Sequence, residues 1–199
     1  MENKNTTILL ISNGNGLNLL DTLKGLMVSN TARPIIDKLM IFPLFGSMVL
    51  GPYQLGFQIF SIAMLLPNIV IQYTLPHDAI GAKNIKLKKI AVIVCIIITV
   101  LAILGAPIII PEIFPEFKES VEVVQIMSLA LIPSSLSVLY SSELLGTERS
   151  RIVLFGAIIG ISVIVIGIFT LGKHYGLVGL TASFVIAKIA EFLFLHIKK

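Results

Sequence analysis

The chain has 199 residues, 56% of them hydrophobic and 13% charged, with a mean hydropathy of +0.98 and a net charge of +4. Soluble domains carry about a quarter charged residues, so this composition excludes an ordinary water-soluble globular domain. The basic residues form no continuous patch, which argues against nucleic acid as a partner, and the single cysteine, Cys95, excludes an internal disulfide or thiolate metal site.

Residues 1–16 are polar and end on Asn13-Gly14-Asn15-Gly16, a strong turn signal. They are expected to form a flexible cytoplasmic N-terminus. Ile8–Ile11 is too short an apolar run for a secretory signal, so the first true span is expected to act as its own membrane signal. Over residues 17–30 an amphipathic helix is expected. Leu19, Leu20, Leu23, Leu26 and Met27 share one face, while Asn18, Asp21, Thr22 and Lys24 lie off it. It is too short and polar to span, and suits an interfacial position on the inner leaflet.

Residues 31–199 then hold six long apolar runs: Pro34–Leu50, Leu55–Leu75, Ile90–Ile110, Val121–Tyr140, Ile152–Leu171 and Leu177–Leu195. A helix crosses a hydrocarbon core of roughly 30 Å with about 20 residues. The expected fold is therefore all-α, a polytopic bundle of six transmembrane helices with an outer turn at Gly51-Pro52. When successive loops are placed on alternate faces, Lys118 and Lys173 alone of the 15 Lys and Arg residues fall on one of them. Basic residues are retained on the cytoplasmic side, so a multi-pass cell-membrane protein with both termini cytoplasmic is expected.

Several spans carry proline. A membrane helix with an internal proline needs a substitute donor for the carbonyl it leaves free. Ser134, Ser135 and Ser137 stand ready beside Pro133. In the fifth run, Gly156-x-x-x-Gly160 with Gly167 offers a surface for close helix approach. Gln54, Gln58, Gln72 and Gln125 read as interhelical hydrogen-bonding groups.

Ionisable residues at membrane depth are costly and mark candidate sites. Arg33, Asp37 and Lys38 cluster at the start of the first span, with Arg33 and Asp37 spaced i,i+4. Lys188 and Glu191 are spaced i,i+3 in the last. These five are the candidate substrate-binding residues. The ordinary alternative is that the first trio marks the membrane boundary, its long basic side chains reaching up to the headgroups. Glu143 is expected at the inner headgroup level. His77 and His196 fall on one face and His174 on the other, so no histidine metal site is expected. With no Gly-x-Ser-x-Gly, His-Glu-x-x-His or Walker loop, neither enzymatic activity nor a cofactor is expected.

The stretch "ARPIIDKLMIFPLFGSMVLGPYQLGFQIFSIAMLLPNIV" resembles the opening of one half of a polysaccharide flippase. "APIIIPEIFPEF" followed by "VVQIMSLALIPSSLSVLYSSELLGTERS" is similar to the third and fourth helices of the C-terminal half, and "YGLVGLTASFVIAKIAEF" to its last helix. The resemblance is to the multidrug/oligosaccharidyl-lipid/polysaccharide exporter superfamily, in its O-antigen-type branch, and covers about Asn30 to Lys199. It implies half of a twelve-helix transporter, partnered by a complementary N-terminal half or a second copy. Its implied cargo is a lipid-linked oligosaccharide, handled within the lipid bilayer. The competing expectations are an ion-coupled multidrug-type exporter half and a non-transporting truncated remnant.

Overall fold

The computed structural model describes residues 37–70, 73, 85–147 and 149–198. The amphipathic helix expected over 17–30, Arg33, Gln72 and His77 lie outside these residues. Those described are all-helical, and four helical segments are long and apolar enough to cross a membrane: Ser47–Val70, Lys86–Ile113, Ser120–Leu145 and Ser150–Lys198.

A short helix, α1, covers residues 37–45. It ends at Gly46, whose φ of 78° no side-chain-bearing residue adopts readily. From there α2 runs over Ser47–Ala63 and resumes over 65–70 after an interruption at Met64. The first turn thus lies at Gly46, five residues before the expected Gly51-Pro52. Pro52 sits inside α2, where a membrane helix tolerates it, and Gly51 packs against the Phe117 ring instead of turning.

Next comes α3, Ile85–Ile113, apolar on every side. It leaves Ile93, Ile97, Leu101, Leu104 and Ile108 uncovered, a band suited to acyl chains rather than water. Pro107 inside it removes the donor that would bond the Ile103 carbonyl. Gln125 from the next span replaces that donor, its Nε2 giving a hydrogen bond to the Ile103 oxygen at 2.9 Å. One amide thus joins two helices and repairs a proline break.

A 3₁₀ turn at Pro115–Phe117 leads into α4, Ser120–Leu129, and after Ala130 into α5, Leu131–Gly146. This span forms the centre of the bundle: 56% of its apolar window is buried, against 22–28% for the other three. The serines beside Pro133 do not act as expected. The carbonyl freed by Pro133 is that of Leu129, yet Ser135 bonds the Ile132 oxygen and Ser137 the Pro133 oxygen. Ser135 and Ser137 reach back one turn along their own helix, the shortest route for a hydroxyl, and the Ser134 Oγ is buried without a hydrogen-bond partner among the described residues.

The last 49-residue stretch is two helices. In it, α6, Ser150–Gly167, passes through a π-helical turn, Ile168–Gly172, into α7, Lys173–Lys198. Gly176, at φ 56° and ψ −131°, breaks the helical path. Gly156 faces Leu195, Gly167 faces Ser183 and Gly172 faces Leu180, so α6 and α7 lie antiparallel. The small-residue surface expected at Gly156, Gly160 and Gly167 is buried here and lets the two backbones approach closely.

These contacts sort the turns into two ends. Phe45 packs near Gly172, Phe117 near Gly51, and Lys118 and Glu119 share a cavity of about 600 Å³ with Tyr175 and Leu177. At the opposite end, Lys88 of α3 pairs with Glu143 of α5 at 3.1 Å, and Tyr140 stacks on Phe192 and His196 of α7.

Candidate functional site

Because α1 turns at Gly46, Asp37 and Lys38 stand eight to nine residues from that turn, or about 12–13 Å along the helix. In α7, Lys188 stands about 18 Å from the Gly176 turn. The Phe45–Gly172 contact puts the two turns at one end. Asp37, Lys38, Lys188 and Glu191 therefore lie within the bundle's length, and not at its rim, where the ordinary alternative puts Lys38.

The structure joins them through aromatic rings. Lys38 Nζ lies over the Phe57 ring, 4.5 Å from its centroid, and Lys188 Nζ lies 5.7 Å from the centroid of Phe184. Phe57 and Phe184 meet edge-to-face at 5.9 Å, and Phe60 packs on Phe184 at 5.0 Å. Helices α1, α2 and α7 thus bring two ammonium groups to one aromatic floor. A cation held over a ring face in a poorly solvated setting is stabilised by about 1–2 kcal/mol, which offsets part of its desolvation.

Acids accompany both lysines. Glu191 Oε2 lies 3.7 Å from Lys188 Nζ, one helical turn along, and both side chains are mostly covered. Asp37 is 1% exposed. Its Oδ2 accepts the Tyr53 hydroxyl at 3.0 Å and its Oδ1 accepts the Lys38 backbone N–H at 2.9 Å. The carboxylate is therefore turned inward to α2 and ties α1 to it. The i,i+4 partner expected for it, Arg33, lies outside the described residues.

No family model, curated protein or solved structure matches the chain. The site must be read from its own chemistry. Two cations over a shared apolar, aromatic surface suit an anionic group attached to an apolar body.

Sequence reasoning missed the groups that organise the site. Phe184 lies one turn before Lys188, the spacing that puts them on one face, and this signal was available. Phe57 and Tyr53 gave none, since an aromatic residue in an apolar run looks the same whether it meets lipid or a partner helix. The ion pair between Lys88 and Glu143 was likewise unseen, since Glu143 was expected only at the inner headgroup level and no partner was expected for it. Of the glutamines, Gln125 makes the expected interhelical bond, Gln58 is exposed, and the Gln54 Oε1 is buried without a hydrogen-bond partner.

Proposed function

We propose that this chain is one half of a membrane transporter, with six spanning helices and both termini cytoplasmic, that moves a lipid-linked oligosaccharide across the plasma membrane. The cargo's phosphate or pyrophosphate is drawn to Lys38 and Lys188, its glycan crosses in the polar space between this half and its complement, and its polyprenyl-type tail stays in the bilayer. Two halves rocking about such a site give alternating access. The observation that carries this reading is the convergence of Lys38 and Lys188 on the Phe57–Phe184 pair, inside the bundle rather than at its rim. The two ammonium groups and the two carboxylates of the site balance formally, but the Asp37 carboxylate is turned inward to Tyr53, which leaves the Lys38 ammonium over its ring to favour an anionic cargo. The buried carboxylate of Asp37 supports a second reading, an exporter that exchanges a cation for a proton or sodium ion.

The charge on Lys188 separates the two. For an anionic cargo, Lys188→Ala lowers transport at least tenfold while Lys188→Arg keeps most of it, because arginine retains the charge and contacts phosphate oxygens. Glu191→Gln then causes only partial loss, since the glutamate serves to hold the lysine. A cation exchanger that protonates Glu191 loses coupled transport with this change. Activity of Lys188→Ala equal to the parent's removes the phosphate-binding role. The assay uses the chain in its native cell, where any complementary half is present.

A further inference from the structure

Two helix interruptions lie side by side in the core. In α2 the break falls at Met64 and in the central span at Ala130, and each is three residues before a proline, Pro67 and Pro133. The break residues share one conformation: φ −75°, ψ −8° at Met64 and φ −72°, ψ −14° at Ala130. Both ψ values lie well off the α-helical −42°, toward the bridge region. In each case the missing proline N–H leaves a carbonyl one residue before the break, that of Ala63 or Leu129, without its helical donor.

The breaks are also level with each other. Phe117 packs on Gly51, and Val123 packs on Gly56. Both contacts match a residue of α2 with one 66 or 67 positions later, so α2 and the central span run parallel in that register. Pro67 and Pro133 are offset by the same interval, and so are Met64 and Leu131. Met64, Met127, Ala130 and Leu131 belong to one buried cluster. Gly56 admits this approach, because a Cβ there would stand 2.6 Å from Val123 Cγ1.

Beyond its break, α5 is fastened. Glu143 is paired with Lys88 of α3, and the Tyr140 ring is stacked on Phe192 and His196 of α7, with 3.2 Å between the Tyr140 hydroxyl and His196 Nδ1. These two contacts sit at the end of the segment away from the break, and between them and the break Ser134, Ser135 and Leu139 are buried against the neighbouring helices.

We propose that Met64 and Ala130 form one coupled hinge, about which residues 65–70 of α2 and all of α5 bend together, α5 sliding against the faces of α3, α6 and α7 that pack on it, with the Lys88–Glu143 ion pair as its latch. The two helices bend as one because their breaks share a core that packs as a unit and resists independent deformation. Since α5 is about 24 Å long, a 20° change of bend carries its far end by roughly 8 Å. The inference rests on helix geometry and holds whether or not the chain transports anything.

Spin-label distances on the full chain in lipid nanodiscs test it, in a Cys95→Ala background. One label pair joins Lys89 of α3 to Thr147, just past the end of α5, and a second joins Lys89 to Ile69 of α2. All three positions are exposed. Glu143→Gln should release the latch and broaden both distance distributions by several ångströms. Pro133→Ala restores a backbone donor in α5 and should narrow both, including the pair that contains no residue of α5. Pro67→Ala should do the same from the other helix. A response confined to the pair on the mutated helix overturns the coupling. No change in either pair with Glu143→Gln overturns the latch.

Discussion

Replacing Gly179 by alanine should destabilise the protein more than any other single methyl addition. Gly179 lies just past the Gly176 break, where α7 folds back beside the π-helical turn. A Cβ at this position runs into the Leu171 carbonyl, and the Tyr175 Cβ stands 3.0 Å away on another side. Backbone carbonyl atoms cannot rotate aside as a side-chain tip can, so relief requires the hairpin to open. A loss of about 3 kcal/mol or more is expected. Gly176→Ala, which has open space around it but a φ of 56° with ψ −131°, should cost about 1–3 kcal/mol, from backbone strain alone. Unfolding of the purified protein by titration with a denaturing detergent reads both. Equal effects at the two glycines would show that crowding at the α6–α7 turn is not what constrains it.

Tyr53→Phe should have the second large effect. It removes the one side-chain donor that the described residues give to the Asp37 carboxylate, in a place where water does not reach. A buried acid robbed of its hydrogen-bond partner costs about 3 kcal/mol, well above the net value of an ordinary hydrogen bond. The double variant Tyr53→Phe/Asp37→Asn should recover a substantial part of that loss, because the neutral amide is cheaper to bury than the ion. If the single variant is as stable as the parent, the Asp37–Tyr53 contact does not hold α1 to α2.

The parts of the fold that depend on length and apolarity were legible in the sequence. The runs over Ile90–Ile110 and Val121–Tyr140 fall within α3 and the α4–α5 span, and the Gly156, Gly160 and Gly167 surface on α6 faces α7. The turn after α1 was not. Gly51-Pro52 is a stronger local signal than Gly46-Ser47, but a membrane helix accommodates proline and the chain turns where glycine supplies the positive φ. That five-residue shift moves Asp37 and Lys38 from the bundle's rim into its length. The lysines of the candidate site could be chosen from sequence because a charge in an apolar run is conspicuous. Their aromatic floor could not, and neither could the Lys88–Glu143 pair, whose members are 55 positions apart. Such partners are set by which helix faces meet, and apolar periodicity is too uniform in α3 to reveal a face. The repair of the Pro107 break by Gln125 was half-legible: the glutamine reads as an interhelical donor, but its acceptor follows only from the packing of α4 on α3.

We propose that Lys38 and Lys188 act on the phosphate of a lipid-linked oligosaccharide as it crosses the membrane. The most direct measurement is the share of that lipid exposed on the outer leaflet in native cells, read with an impermeant glycan-modifying enzyme. Cells lacking the chain should hold the lipid on the inner leaflet. The parent chain should restore its exposure, and the Lys38→Ala/Lys188→Ala variant, present in the membrane at the parent's level, should not. An outer-leaflet share that the double variant restores as fully as the parent would contradict the role of the lysines, and a share that is the same with and without the chain would contradict transport by it.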